Sequence, residues 1–275
     1  MTRRTWLIAA ALAIAACLPR AAARAAEPET RITYLYDNTA AAEGVKADWG
    51  FACLVEGRGK KVLFDTGTKE EIFRHNVSAL KVDLSGIDAL VLSHDHRDHT
   101  GGLALLGRRP GLPAYYARGF STETVARLAD AGFKGMPVTR SVEIFPGYRV
   151  GETMVGGDGP GAGTAEEALV VDTGEGLVVI VGCAHPGIVP MIRKIRETTG
   201  RPVAMVLGGF HLFQTPADEV RRIIADFKSM GVARAGPSHC TGEEATAMFR
   251  EAYGDRFVRG GVGAVVEIPP AGGRP

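Results

Sequence analysis

The stretch Ser93-His94-Asp95-His96-Arg97-Asp98-His99-Thr100-Gly101-Gly102 decides how this sequence is interpreted. It places three histidines and two aspartates within six residues, directly after the apolar run at residues 87–92. Neutral imidazole and carboxylate are the side chains with which proteins bind zinc and similar cations. A strand that leads into such a loop is typical of a metal site, and we therefore predict one here.

Three further histidines, His185, His211 and His239, each follow an apolar strand. Strand ends in α/β layers gather along one edge of a sheet, so residues far apart in sequence can converge there. We therefore expect most of these histidines to join the metal site. Of the seven histidines only His75 is left over; it lies in an amphipathic helical pattern and is interpreted as a surface residue.

The composition favours a globular protein that acts on small molecules. At 275 residues and 45% hydrophobic, the chain can bury a large core, and we expect one domain over residues 27–275. The formal net charge is +1, and the body carries no lysine and arginine cluster that would bind a phosphate backbone. Nucleic acid is therefore not expected as a partner, and the sequence does not indicate an oligomeric state.

The N-terminus has the form of an export signal, which we assign to residues 1–26. Arg3 and Arg4 precede an apolar run at residues 7–16 that is too short to span a bilayer. The two arginines suit a twin-arginine signal, while Cys17 stands where a lipoprotein signal would be acylated and anchored to the membrane. Cleavage after the alanine-rich residues 21–26 is the alternative. We expect a periplasmic protein, either soluble or a lipoprotein.

The body of the chain keeps three cysteines, Cys53, Cys183 and Cys240. An odd number in an exported protein argues against a disulfide framework. Cys183 and Cys240 lie close to histidines, so we expect them near the metal. Cys53 lies inside an apolar run and is interpreted as a buried core thiol.

The order of predicted elements indicates an α/β fold, a four-layer αββα sandwich without a sequence repeat. A β-meander opens the chain, and strands and helices alternate in the second half. We predict helices at residues 186–198, 216–230 and 242–253, with side-chain caps from Thr215 with Asp218 and from Thr241 with Glu244. A last strand is predicted at residues 257–268, and a glycine- and proline-rich loop at residues 155–163.

The histidine and aspartate loop resembles the metal-binding signature of the metallo-β-lactamase superfamily. The resemblance implies two divalent metal ions, most simply zinc, with His94 and His96 in the first site and Asp98 and His99 in the second. Asp65 matches the aspartate that supports the metal loop, and His239 resembles the last ligand. His185 could complete the first site, because the irregular segment before it contains no other histidine.

The resemblance leaves the roles of two residues open, Cys183 and His211. Cys183 stands where the superfamily commonly has a bridging aspartate, so it could bridge the metals as a thiolate or lie beside them as an inert thiol. His211 could be a further ligand or could donate a hydrogen bond to the substrate. Two segments before the metal loop could line a pocket or could be ordinary turn residues: Tyr36-Asp37-Asn38-Thr39 and Trp49-Gly50-Phe51.

Several motifs narrow the resemblance to the branch named 7,8-dihydropterin-6-yl-methyl-4-(β-D-ribofuranosyl)aminobenzene-5'-phosphate synthase. They are Asp37-Asn38-Thr39, Leu63-Phe64-Asp65-Thr66-Gly67, Leu92-Ser93-His94, Val181-Gly182-Cys183-Ala184-His185, Leu207-Gly208-Gly209-Phe210-His211, Pro237-Ser238-His239-Cys240-Thr241-Gly242 and Gly261-Val262-Gly263. The named reaction belongs to a cytosolic pterin pathway, for which an exported protein has no evident use.

We therefore predict a metal-dependent hydrolase for an ester, lactone, amide or phosphoester. The metal ions would lower the pKa of a water molecule to about 7 and polarise the scissile bond. Asp98 would orient the resulting hydroxide and carry its proton. The alternatives are a pterin-type transferase and a periplasmic metal-binding protein without enzymatic activity.

Overall fold

The N-terminal half of the chain forms most of one β-sheet in the computed structural model, which describes residues 29–157 and 162–270. Its strands and helices, in chain order, are β1 (Thr30–Tyr36), β2 (Ala52–Gly57), β3 (Lys60–Phe64), α1 (Glu70–Ala79), β4 (Ala89–Leu92), α2 (Arg97–Thr100), β5 (Pro113–Ala117), α3 (Thr122–Asp130) and β6 (Lys134–Val138).

The second half supplies a second sheet and three longer helices. Its elements are β7 (Val142–Phe145), β8 (Tyr148–Val150), β9 (Met154–Val155), β10 (Ala165–Glu166), β11 (Leu169–Thr173), β12 (Gly176–Val181), α4 (Ile188–Thr199), β13 (Val203–Gly209), α5 (Ala217–Ser229), β14 (Arg234–Ser238), α6 (Glu243–Tyr253) and β15 (Val265–Ile268).

Each large sheet is antiparallel at one end and parallel at the other. The first has the order β15-β1-β2-β3-β4-β5-β6 and is parallel from β3 to β6. The second has the order β14-β13-β12-β11-β8-β7 and is parallel from β12 to β14. Strands β9 and β10 pair separately with each other. The carboxyl ends of the parallel strands therefore gather along one edge of each sheet.

The two sheets pack face to face through alternate side chains of their strands. In β12, Val178 and Ile180 join a core that also contains Val55 and Phe64 of the first sheet. The intervening Val179 of the same strand belongs to a different core, on the outer face. Period-two alternation of this kind lets one strand fill two layers at once.

Helices cover the outer face of each sheet. Ile192, Phe227 and Phe249, from α4, α5 and α6, pack on the second sheet. Phe73 of α1 and Leu128 of α3 pack on the first. The order helix, sheet, sheet, helix confirms the predicted four-layer αββα sandwich.

Some predicted local details were wrong. Helices α5 and α6 are preceded by Pro216 and Gly242, and neither has a side-chain cap. Thr241 instead accepts a hydrogen bond from the Phe210 backbone N–H, because its hydroxyl is turned towards β13. The last strand is limited to β15, since the chain turns at Gly261 and Gly263, which have φ of 114° and 86°.

Several expectations fall on residues outside the described range. These are the export signal at residues 1–26 with Cys17, and residues 158–161 of the predicted glycine-rich loop. Within the described residues, no helix has the length and apolar character needed to cross a bilayer. Cys53 is fully buried between the sheets, as predicted.

The glycine pair after the metal loop lies directly against the segment after β3. A Cβ atom built on Gly101 would lie 1.9 Å from the Thr68 carbonyl oxygen, and one on Gly102 would lie 2.2 Å from that of Thr66. The N–H groups of both glycines donate to the Gly67 carbonyl oxygen, over 2.9 and 3.2 Å. The absence of side chains therefore allows the loop to dock here.

We expect Gly101→Ala to lower the free energy of unfolding by about 1–3 kcal/mol, because the added methyl group overlaps rigid backbone. Urea denaturation measures the change. Gly86→Ala is the matched control, since no atom of the described residues lies within 4 Å of its added Cβ. It should change stability by no more than about 0.5 kcal/mol. Equal stability of the two variants would contradict the docking role of Gly101.

Candidate metal centre

The predicted ligands lie at the carboxyl ends of parallel strands in both sheets. The loop that carries His94 and His96 follows β4 and leads into the short helix α2. His185, His211 and His239 follow β12, β13 and β14, which are neighbours in the second sheet. The parallel topology thus places five histidines of distant sequence position at adjoining sheet edges.

Contacts of Ser93, the residue that follows β4, join the two sheet edges. A Cβ atom on Gly182 would lie 2.1 Å from Ser93 Oγ, so only glycine permits this approach. The backbone N–H of Glu167 also donates to the Ser93 carbonyl oxygen over 2.9 Å. This contact brings the metal loop of the first sheet against the strand ends of the second.

His94, His96 and His185 form a first group of ligands. His94 Nε2 lies 3.1 Å from His96 Nδ1. The ring centroid of His185 is 4.7 Å from that of His94 and 4.8 Å from that of His96. Three imidazoles at this spacing can face a single cation.

Asp98, His99 and His239 form a second group. Asp98 Oδ2 lies 3.6 Å from His99 Nε2 and 3.3 Å from His239 Nε2. Together with the sulfur of Cys183, their ligand atoms lie within 4.8 Å of one another. A carboxylate, two imidazoles and a thiol are a donor set suited to zinc.

Cys183 lies between the two groups. Its Sγ is 3.3 Å from His99 Nε2 of the second group and within 4.8 Å of the ligand nitrogens of His94 and His185 in the first. The thiol thus occupies the position between the sites where the resemblance predicts a bridging carboxylate.

Unpaired polar atoms show that the cluster fits a metal ion. Both ring nitrogens of His185 and His211 are buried and have no hydrogen-bond partner among the described residues, and the same holds for His239 Nε2. Buried nitrogens without partners are costly in a folded protein. A divalent cation would satisfy them, and the imidazole, carboxylate and thiol donors suit zinc.

Asp65 supports the metal loop from beneath, where it is fully buried. Its Oδ2 accepts hydrogen bonds from His99 Nδ1 over 2.7 Å and from Ser93 Oγ over 2.8 Å, and its Oδ1 accepts from the Ser93 N–H over 2.8 Å. Ser93 Oγ in turn lies 2.9 Å from His94 Nδ1. With their Nδ1 atoms engaged, both rings present Nε2 to the site.

The two groups differ in their electrostatics. Burial and the neighbouring histidines lower the pKa of His94 well below its usual range, and burial with His211 and His96 nearby lowers the pKa of His185 to about 3. Burial would also lower the pKa of His99, but the Asp65 carboxylate outweighs it and raises that pKa to about 9. The first group is therefore neutral at pH 7, which is the form that binds metal.

Glu166 was not anticipated from the sequence. Its buried carboxylate accepts hydrogen bonds of 2.8 Å from the backbone N–H groups of Cys183, Ala184 and His185. Ala184 has a φ of 58°, which a non-glycine residue seldom adopts, and the carboxylate stabilises this turn. Spacing offered no signal, because Glu166 lies outside every strand and helix that the sequence predicts, beside a second glutamate.

Two segments considered as pocket residues do reach the site. Trp49 Nε1 donates to Asp98 Oδ2 over 2.8 Å, and its ring centroid lies 4.9 Å from that of His239. Asn38 Nδ2 donates to the His239 carbonyl oxygen over 3.0 Å, and Asn38 Oδ1 lies 2.9 Å from His239 Nδ1. His75 belongs instead to α1, where its Nε2 lies 2.7 Å from the Gly44 carbonyl oxygen.

We expect Asp65→Asn to weaken metal binding about 10- to 100-fold, because the amide cannot accept all three hydrogen bonds that orient the loop. Competition with a chromophoric chelator measures the affinity. Asp172→Asn is the control, since this carboxylate pairs with Arg201 at the surface over 2.7 Å. Unchanged affinity in a folded Asp65→Asn variant would show that the buried network does not support the ligands.

Comparisons with known proteins agree with this geometry. The family model of the metallo-beta-lactamase superfamily matches residues 50–194. The 7,8-dihydropterin-6-methyl-4-(beta-D-ribofuranosyl)-aminobenzene-5'-phosphate synthase of Methanocaldococcus jannaschii is 29% identical over 260 residues, covering 79% of this chain and 88% of that protein. This similarity confirms the resemblance to the pterin-related branch.

Solved structures show the same fold. Tm1679, described as a metal-dependent hydrolase of the beta-lactamase superfamily, is 30% identical and has a TM-score of 0.74, with 87% of this chain and 99% of that chain covered. The metallo-beta-lactamase fold protein YhfI from Bacillus subtilis is 15% identical, has a TM-score of 0.62 and shares the fold. With the family match over residues 50–194, these similarities show that the chain belongs to the metallo-beta-lactamase superfamily.

Proposed function

We propose that this protein is a metal-dependent hydrolase of a small ester, lactone, amide or phosphoester. The observation that carries the proposal is the ligand cluster itself, which is buried on most sides but open at one edge. His94, His99 and His239 are buried, whereas His96 is exposed and the Asp98 side chain keeps 18% of its surface accessible. A site that only stabilises the fold is closed, whereas a catalytic site leaves room for water and substrate.

The residues that would hold the metal ions are the two groups described above. His94, His96 and His185 would hold the first ion, and Asp98, His99 and His239 the second, with Cys183 between them. A bound divalent ion supplies Lewis acidity, which makes water more acidic and polarises a carbonyl or phosphoryl oxygen.

Asp98 is the group placed to hold a proton during hydrolysis. Burial would raise its pKa, but the contacts with His239 and His99 outweigh this and keep the pKa well below its usual range. Asp98 is therefore ionised at pH 7 and can accept a hydrogen bond from water, which orients it. Trp49 Nε1 donates to Asp98 Oδ2 and thereby orients the carboxylate.

The relationship to Tm1679 supports this proposal. That protein is described as a metal-dependent hydrolase, and this chain aligns with 99% of it at 30% identity. The description applies to Tm1679; for this chain, metal-dependent hydrolysis remains our proposal. The ligand groups suit several kinds of hydrolysable bond.

An aromatic pair beside the open edge indicates part of the substrate. Trp49 and Phe213 keep 48% and 45% of their surface exposed, and their ring centroids lie 6.2 Å apart. The rings are 4.9 Å from His239 and 5.4 Å from His211, respectively. Exposed aromatic rings beside a site bind apolar or planar groups well. We propose that the substrate carries such a group next to its scissile bond.

The pterin-type transferase is the second candidate. It is favoured by the similarity to the synthase of Methanocaldococcus jannaschii, at 29% identity over 260 residues. A planar pterin would also fit the aromatic pair. Incubation of the metal-loaded protein with a dihydropterin and an aminobenzene ribonucleotide distinguishes the two, since only the transferase forms a conjugate.

We expect His96→Ala to reduce hydrolysis by at least about 100-fold, because it removes a ligand at the open edge of the first group. The measurement is turnover of an ester, lactone, amide and phosphodiester panel by metal-loaded protein. His75→Ala, in α1, where the ring nitrogen Nε2 lies 2.7 Å from the Gly44 carbonyl oxygen, is the control and should retain activity. Absence of turnover in the fully metal-loaded wild type would defeat the hydrolase proposal and favour the transferase or a metal-binding protein without enzymatic activity.

We expect Phe213→Ala and Trp49→Phe to affect different kinetic constants. Phe213→Ala removes a binding surface and should raise KM about 10-fold with little change in kcat. Trp49→Phe keeps a ring but loses the N–H donor to Asp98, so kcat should fall while KM changes less. Steady-state kinetics on the best substrate of the panel separate these effects. Val142→Ala, at an exposed position of β7, is the control. If neither variant has a raised KM, the aromatic pair does not take part in substrate binding.

A further inference from the structure

A third set of ligand atoms lies beside the two groups that the superfamily signature predicts. The sulfur atoms of Cys183 and Cys240 and a ring nitrogen of His211 lie within 4.8 Å of one another. The sequence predicts Cys240 near the metal because it follows His239. In the structure its sulfur lies within 4.8 Å of Cys183 Sγ and of a ring nitrogen of His211.

We propose that Cys183, Cys240 and His211 bind an additional thiophilic divalent cation, of which zinc is the natural example. The site would be a two-thiolate, one-imidazole set with its fourth position open. Cys183 would share its sulfur with one of the neighbouring ligand groups. Cys183, in the place of the bridging carboxylate, would then contribute to metal selectivity. Two thiolates select soft cations, which a carboxylate binds less well.

The topology builds this set from three neighbouring strands. Cys183, His211 and Cys240 follow the ends of β12, β13 and β14, which pair in parallel in that order. Gly209 leaves space for the Cys240 thiol, since a Cβ atom at Gly209 would lie 2.6 Å from Cys240 Sγ. The sheet therefore fixes the backbone positions from which the three side chains converge.

Each sulfur atom has a hydrogen-bond contact: Cys183 Sγ lies 3.3 Å from His99 Nε2, and Cys240 Sγ donates to the Cys183 carbonyl oxygen over 3.8 Å. Both thiols are buried, with 3% of Cys183 and 1% of Cys240 exposed, and both are free of disulfide bonds. The nitrogens of His211 are buried and have no hydrogen-bond partner among the described residues. His211 has a φ of 53°, a strained value for a residue other than glycine. The surrounding structure therefore holds the backbone in a conformation that directs the His211 ring towards the two thiols.

The spacing suits a tetrahedral ion after a small adjustment. Zinc bonds of about 2.3 Å to sulfur and about 2.0 Å to nitrogen place tetrahedral ligand atoms roughly 3.4–3.8 Å apart. The observed upper limit of 4.8 Å therefore requires the atoms to approach by at most about 1.0–1.4 Å. Side-chain rotations can supply a movement of this size.

The experiment compares metal binding by the wild type, Cys240→Ser and the matched control Cys53→Ala, all purified with a reductant. Cys53 is a buried free thiol in the core between the sheets. Metal content after zinc loading is measured by elemental analysis. A second loading with cobalt measures the sulfur-to-metal charge-transfer absorption, which reports thiolate bonds directly.

We expect Cys240→Ser to bind one zinc ion fewer per chain than the wild type and to lose about two thirds of the charge-transfer absorption, because two of the three sulfur–metal bonds disappear with that ion. Cys53→Ala should match the wild type in both. Equal zinc content and equal absorption in wild type and Cys240→Ser would overturn the proposal. If Cys240→Ser does not fold, His211→Ala decides: one ion fewer supports the third site, and an unchanged number overturns it.

These readouts do not depend on the proposed hydrolysis. Failure of the hydrolase proposal appears as a lack of turnover by protein that holds its full complement of metal. Failure of the third site appears as unchanged metal content on substitution of Cys240 or His211. The two outcomes can therefore be told apart within the same set of proteins.

Discussion

The carboxylate of Asp65 is the constraint on which the candidate metal centre depends. It is fully buried at the end of β3 and accepts hydrogen bonds from the N–H and hydroxyl of Ser93 and from His99 Nδ1. A buried charge is costly unless such partners compensate it, so the loop cannot move away without leaving the charge unpaired. The same contacts hold Ser93 and His99, near the two ends of the metal loop, against one carboxylate. They also direct the ring of His99 into the site.

Backbone conformation reveals how firmly the second sheet holds its own ligands. Ala184, His211 and His239 all have positive φ, at 58°, 53° and 48°. Non-glycine residues in this region each cost of order 1–3 kcal/mol where the surroundings impose it. Glu166 offsets this cost in the first of these turns through three backbone hydrogen bonds. The sheet edge thus maintains strained turns where side chains must converge.

The position of Cys183 links the proposed hydrolysis to the proposed third site. Its sulfur lies within 4.8 Å of ligand atoms in every group of the cluster, including the set with Cys240 and His211. A carboxylate in this place would provide two hard oxygen donors, whereas a thiolate provides one soft and polarisable donor. The identity of this residue therefore bears on both the choice of metal and the number of ions held. Trp49 and Phe213 at the open edge are proposed to bind the substrate and have no part in the choice of metal.

The sequence by itself determined the metal loop, the strands before it and the layer order of the fold. It could do so because these features depend on residues that are neighbours in sequence. His94, His96 and Asp98 lie within five residues of one another, and the alternation of side chains along a strand follows from backbone geometry. Tertiary structure alone decided which distant groups meet. Trp49 reaches Asp98 across 49 positions, and Cys240 meets Cys183 across 57. No local pattern encodes such pairs, because they follow from the way the two sheets pack at the strand ends.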